Sequence, residues 1–312
     1  MLINSSRFEE SLSAKTDSPV KLLNIGCGNH FHPAWTNVDL ISQSLDVIPY
    51  DVTTGLPFPD NSFDAVYHSH VIEHLQRNQG IDLIRECLRV LKPGGVARIV
   101  VPDLEKIAKL YLEKHDRAWQ GDEQAKTDYD WMKLELLDQM VRNRSGGQMG
   151  PYMANPEIRN SEFVRSRVGD EYNLCKPYEQ SPVKQSEGDT IESPQRRRSV
   201  QTVVAASKTL RMKIAQKIVR VLLGQSAEQA FTEGLFRNSG EVHRWMYDRY
   251  SLRNLCEYIG FDNFQVLHAH SSQIPAFQTY QLDVVDGEVR KPDSLFAECR
   301  KPNNAAVRPV RN

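Results

Sequence analysis

The stretch "YHSHVIEHL", Tyr67 to Leu75, sets His68, His70, Glu73 and His74 within seven residues. Imidazole titrates near pH 6.5, so a histidine here can take a proton from a hydroxyl at neutral pH. His70 is the first candidate base, His74 the second, and Glu73 is their acidic neighbour. The plainer alternative is that Glu73 and His74 open the following helix and only shape a pocket. His70 and His74 are spaced Hx3H with a carboxylate between them, which would suit a metal pair on a helix. The HExxH order is absent, however, and no third ligand is evident, so no metal is expected.

A second constellation is "LLNIGCGNHFHPAWTNVDL", Leu22 to Leu40. An apolar strand that runs into Gly26-Cys27-Gly28 can turn sharply and approach a ligand, because a Cβ at either glycine would obstruct the path. Asp39, at the end of the next apolar run, is placed to accept both hydroxyl hydrogens of a ribose. The alternatives are a bare strand-to-helix turn and an exposed strand-end aspartate. A dinucleotide fits poorly. The third glycine position of a GxGxxG fingerprint is Phe31, and ten residues separate Gly28 from Asp39, against about 20 in a nicotinamide site. A nucleoside ligand without a pyrophosphate is favoured.

Two further clusters could meet an acceptor molecule. "GEVHRWMYDRY" gathers His243, Arg244, Trp245 and Tyr247, and aromatic faces beside hydrogen-bonding groups suit a sugar ring; a packed hinge is the alternative. Arg142 and Arg144, ahead of "SGGQMG", could contact an anionic substrate such as a nucleotide sugar or a phosphorylated carrier, or form a solvated basic loop.

The elements that must position these residues alternate from Val20 to about Asp103. "VKLLNI", "WTNVDL", "LDVIPYDV", "SFDAVYHSH" and "VARIVVPD" read as strands, helical spacing runs from Val71 to Leu91, and "KPGG" reads as a turn that stops the helix. This is the pattern of a parallel sheet with helices on both faces. Expected divisions are a flexible leader at 1–19, a cofactor-binding α/β core at 20–111, a helical and partly mobile insertion at 112–240, the C-terminal part of the core at 241–300 and a tail at 301–312. Within the insertion, 170–200 is polar enough to be mobile. "YSLRNLCEYIGF" is a helix with Ser251 as its N-cap and Gly260 as its stop.

The segment 201–223 is a basic amphipathic helix. It could rest on a membrane surface beside a lipid-linked acceptor, or act as a lid or homodimer helix that buries its apolar stripe; the second use is the commoner.

The whole chain has 312 residues, with 39 Lys and Arg against 40 Asp and Glu. No global field favours nucleic acid, and none is expected as a partner. Five scattered cysteines with no CxxC pair suggest neither a disulfide framework nor a zinc site. The polar start and the lack of any 18-residue apolar run predict a cytoplasmic protein.

Taken in order, "LLNIGCGN", "NVDL", "PYDVTTGLPFPDNSFDAVYHSHVIEHL", "ECLRVLKPGG" and "VARIVVPD" resemble the motifs of class I S-adenosylmethionine-dependent methyltransferases. The subtype is similar to a bacterial group often linked with polysaccharide and other glycan pathways. The resemblance covers Val20 to Asp103 and the late strands; "LLDQMVRNRSGGQM" matches only loosely. It implies a doubly wound, Rossmann-like, mostly parallel sheet with a largely helical insertion after the fifth strand, and S-adenosyl-L-methionine as cofactor. It further implies that Gly26, Cys27 and Gly28 bound the methionine part, that Asp39 with Leu40 holds the ribose, that Asp51 and Val52 flank the adenine, and that His68 to His70 face the sulfonium. The chain departs from the family at Asn24, where an acid is usual, and at Asn29, where a third glycine is usual; both are still expected near the amino-acid end of the cofactor. The implied reaction is in-line methyl transfer to a hydroxyl of a sugar, nucleotide sugar or glycan precursor. Alternatives are a cofactor-binding module whose insertion binds a partner, and a nicotinamide oxidoreductase.

Overall fold

The computed structural model describes residues 20–42, 44–169, 171–175 and 200–303. The leader 1–19, the stretch 176–199 and the tail from 304 lie outside the described residues.

Seven runs form one sheet: β1 Leu22–Ile25, β2 Thr36–Asp39, β3 Val47–Pro49, β4 Phe63–Ser69, β5 Leu91–Pro102, β6 Asp262–Leu267 and β7 Ser294–Arg300. Their order is β3-β2-β1-β4-β5-β7-β6. The first five are mutually parallel, and β7 runs antiparallel to both β5 and β6. The order reverses between β1 and β4, so the crevice for a ligand lies beyond their carboxyl ends. This is the class I methyltransferase topology that the sequence implied.

All four residues of β1 are buried. Asn24 survives there because its amide donates to the Asn37 side-chain oxygen at 3.2 Å and to the His30 carbonyl at 3.3 Å. One face of the sheet (Leu23, Ile25, Val66, Ile99) is covered by two helices, α1 Arg77–Val90 and, late in the chain, α9 Arg249–Ile259. The apolar spacing of Leu83, Ile84, Cys87 and Val90 turns one side of α1 inward. The N-cap of α9 is Asp248, which accepts from Ser251 N at 2.7 Å; the expected cap, Ser251, is the reciprocal partner in a capping box.

Contrary to expectation, the other face carries no α-helix among the described residues, only a short 3₁₀ turn at Phe277–Tyr280. The β1–β2 connection is too short for an α-helix. Trp35, Ile274, Phe277 and Leu282 instead pack on Leu22, Ala65, Tyr67 and Val100. In the middle of this layer sits Arg98, 0 % exposed, with Nε 2.7 Å from Asp283 and Nη1 2.8 Å from Glu298. "KPGG" is part of β5, where it makes an irregular register opposite Phe63 and Ala65. A Cβ at Gly95 would lie 2.9 Å from the Lys92 carbonyl oxygen, so the irregularity requires glycine there.

Between β5 and β6 the chain forms α2 Leu104–Trp119, α3 Glu123–Val141, α4 Met149–Ala154, α5 Ser161–Val168, α6 Glu171–Leu174, α7 Val200–Leu223 and α8 Gln225–Arg237. Helices α2 to α6 share a separate core around Ile107, Trp131, Met132 and Tyr172. Buried Glu135 accepts from Trp131 Nε1 at 2.8 Å and pairs with Arg167 there. Helix α7 packs on α8. Among the side chains of its stripe that are described, Ile214, Ile218 and Val221 are exposed. Among the described residues no helix is long and apolar enough to cross a membrane.

Candidate functional site

Ile25 and His68 stand in register at the ends of β1 and β4. Beyond β1 the chain turns through Gly26 and Gly28, with φ of +63° and +53°. A Cβ on Gly26 would sit 2.4 Å from a Val71 methyl, so the turn and the segment after β4 approach as closely as glycine alone permits. Gly28 N donates to Asp39 Oδ2 at 2.8 Å and Ile41 N to Asp39 Oδ1 at 3.1 Å. Each carboxylate oxygen keeps acceptor capacity for a ribose hydroxyl. Gly28, Asn29 and Leu40 are exposed around it, and Asp39 is half-buried. Cys27 points inward, and burial, with Asp39 nearby, pushes its thiol up to about 12, so it is no nucleophile.

Asp51 is exposed and caps a short turn at Val52–Thr54, accepting from Thr53 N at 3.0 Å, while Val52 packs against the core. Asn24, 1 % exposed, is a strut between β1 and β2.

The histidine cluster follows β4. His68 is fully buried, and neither ring nitrogen has a hydrogen-bond partner. Burial pushes its pKa down to about 4. His70 has a φ of +56°, a conformation seldom adopted by residues with a Cβ. Its Nε2 lies 2.8 Å from Ser294 Oγ and its Nδ1 3.0 Å from Glu73 Oε1. Glu73 and His74 belong to a separate 3₁₀ turn, Ile72–His74, ahead of α1 and outside its first turn. Glu73 is 0 % exposed, and burial raises its carboxyl to about 8.

The His74 ring meets His243 edge-on, with centroids 4.7 Å apart. Burial lowers His74 to about 4 and His243 well below the ordinary value, so both are neutral at pH 7. His243 is brought here by backbone bonds from the Gly240–Tyr250 segment: His243 N to the Gln139 carbonyl at 2.9 Å and Arg244 N to the Glu73 carbonyl at 2.6 Å.

A cavity of about 310 Å³ opens over this cluster, walled by His70, His74, Arg142, His243, Glu171 and Lys291. Lys291 is ion-paired with Glu171, and Arg142 lies 3.5 Å from Asp138. Of the expected acceptor residues, Arg142 and His243 reach the cavity. Arg144 bonds its own loop at Gly147 and Gln148. Arg244 holds the end of α8 through the Arg237 carbonyl, Trp245 stacks on Arg77 at 4.7 Å, and Tyr247 is buried in the core. Lys291, Glu171 and Ser294 were not singled out from the sequence, because nothing in their local pattern marks them.

Residues 23–99 match the family described as a methyltransferase domain. Over 133 residues the chain is 29 % identical to the ubiquinone/menaquinone biosynthesis C-methyltransferase UbiE of Pseudomonas fluorescens, covering 42 % of this chain and 45 % of that protein. A probable S-adenosylmethionine-dependent methyltransferase of Mycolicibacterium smegmatis is 46 % identical over 48 residues, 15 % of this chain and 18 % of that one. A solved S-adenosylmethionine-dependent methyltransferase from Archaeoglobus fulgidus aligns over 90 % of this chain and 86 % of its own at 12 % identity, with a TM-score of 0.34. The chain thus spans less than half the length of these curated relatives. Residues 23–99 thus resemble a methyltransferase domain.

Proposed function

We propose that the whole chain is an S-adenosylmethionine-dependent O-methyltransferase whose acceptor is a hydroxyl of a sugar, nucleotide sugar or glycan precursor. One observation carries this reading. The glycine turn with Asp39 and the polar cavity over His70, His74 and His243 open at the ends of neighbouring strands, one suited to the cofactor and the other to an acceptor.

Methyl transfer needs the acceptor oxygen in line with the sulfonium methyl, about 3 Å away. The C–S bond breaks as the C–O bond forms, S-adenosylhomocysteine leaves as a neutral thioether, and the hydroxyl proton passes into the histidine cluster. His74 is better disposed than His70 to receive it, since His74 Nδ1 has no hydrogen-bond partner whereas both His70 nitrogens face one. A cavity edged by Arg142, Lys291, Glu171, Glu241 and three histidines supports a polar acceptor over the carbon nucleophile of a C-methyltransferase.

The test is incubation of the full chain with methyl-labelled S-adenosylmethionine and a panel of nucleotide sugars, phosphorylated sugars and glycans. Label on a hydroxyl, with equimolar S-adenosylhomocysteine, is the expected result. Cofactor binding with no transfer across the panel would favour a non-catalytic binding module.

A further inference from the structure

We propose that Glu73, His74 and His243 form a binding site for one divalent first-row transition-metal ion, open on its remaining positions to the acceptor cavity. Each residue offers one ligand atom, and the three atoms lie within 4.8 Å of one another. A triangle of that size puts each atom about 2.8 Å from its centre, so side-chain shifts of under about 1 Å bring them to the 2.0–2.2 Å of a zinc-like coordination shell. Two imidazoles and one carboxylate suit zinc, cobalt or manganese, whereas magnesium favours oxygen ligands.

A second observation points to a ligand. Both Glu73 oxygens, His74 Nδ1 and His243 Nδ1 are buried with no well-aligned hydrogen bond. Buried polar atoms left so cost free energy, and a bound ion is one of the few things that repays it. One atom from each of the three residues meets the other two, and His74 and His243 line the cavity, so the cluster is a built site. Supports stand behind the ligands, as metal sites require. His70 flanks Glu73 at 3.0 Å and is itself tied to Ser294, while the backbone of Val242 holds the His74 ring. The nearest cations do not oppose an ion unaided, because Lys291 is paired with Glu171 and Arg142 faces Asp138.

The third ligand was hidden in the sequence, since His243 lies beyond the whole insertion. The role of the ion, though not its binding, rests on the methyltransferase reading. As a Lewis acid it would hold one or two acceptor hydroxyls and acidify the reacting one, whose proton then leaves to water as the oxygen takes the methyl group. His74 is then a ligand, and His70 positions Glu73.

The experiment is titration of the metal-stripped full chain with Co²⁺, followed by its visible d–d bands, and with Zn²⁺ by calorimetry. One ion per chain is expected, with affinity falling 100-fold or more in His243→Ala and in His74→Ala, each shown by circular dichroism to be folded. His115→Ala, an exposed histidine on α2, should bind as wild type does. If either variant does not fold, Glu73→Gln takes its place. No stoichiometric binding, or binding unchanged in the ligand variants, overturns the site. Calorimetry with S-adenosylhomocysteine on the same samples separates this outcome from failure of the methyltransferase reading.

Discussion

Arg98→Met will destabilise the protein by about 3–5 kcal/mol, the usual cost of removing one partner from a buried charge network. The guanidinium is fully buried and faces two carboxylates, Asp283 at 2.7 Å and Glu298 at 2.8 Å, while also donating to the carbonyls of Ser271 and Ala269. Without it, both carboxylates remain in an apolar layer between Phe277 and Phe296, which flank the guanidinium. The same network bears on the cavity. Asp283 also accepts from Tyr67 at 2.6 Å, so it pins the loop that leads to Lys291 and Ser294. Urea unfolding is the measurement. The triple variant Arg98→Met, Asp283→Asn, Glu298→Gln should recover part of the loss, because it removes the stranded charges as well. A single-variant loss below about 1 kcal/mol would mean that the network is not the brace described.

A second large effect concerns pH. His68 is buried without a hydrogen-bond partner, and burial holds its pKa near 4 against 6.5 in the unfolded chain. Between those values the unfolded state binds the proton and the folded state does not. Stability from this residue is therefore full above pH 6.5 and falls as the pH drops toward 4. The loss is about 2 kcal/mol at pH 5 and about 3 kcal/mol at pH 4. His70, His74 and His243 are lowered too and act in the same direction, whereas Glu73 and Asp293 are raised by burial and oppose them. The difference between wild type and His68→Leu isolates the one residue. Denaturation midpoints from pH 7.5 to 4.5 should fall more steeply for wild type; parallel curves would contradict a neutral buried His68.

Most of the first five strands were legible because they are short apolar runs closed by glycine, proline or aspartate, and their parallel order followed from the alternation with helical spacing. Asp248 escaped notice as a cap because Ser251 lay nearer the apolar run. The face without an α-helix was hidden because its cover, Trp35 with the 268–285 segment, has no regular period. Arg98 looked like an interruption in "VARIVVPD", since its partners come from far along the chain.

In the candidate site the local part was readable. Gly26 and Gly28 are positions where a positive φ favours glycine, although only at Gly26 would a Cβ be obstructed, and Asp39 is tied to the turn by the Gly28 N–Asp39 bond. Residues that arrive by long-range folding were only partly found. His243 and Arg142 were marked by their chemistry, but Lys291 and Ser294 sit in unremarkable sequence, and the one reaches the cavity and the other His70 only because β7 lies beside β5.

Calorimetric titration of the full chain with S-adenosylmethionine, S-adenosylhomocysteine and NADH, repeated on Asp39→Ala, decides whether the crevice between β1 and β4 serves this cofactor. Both methionine-derived ligands should bind one to one and NADH should not. The substitution removes the ribose contacts and the tether to Gly28, so affinity should drop about tenfold to a hundredfold, or roughly 1.5–3 kcal/mol. No binding of either ligand, or tighter binding of NADH, would contradict the methyltransferase reading.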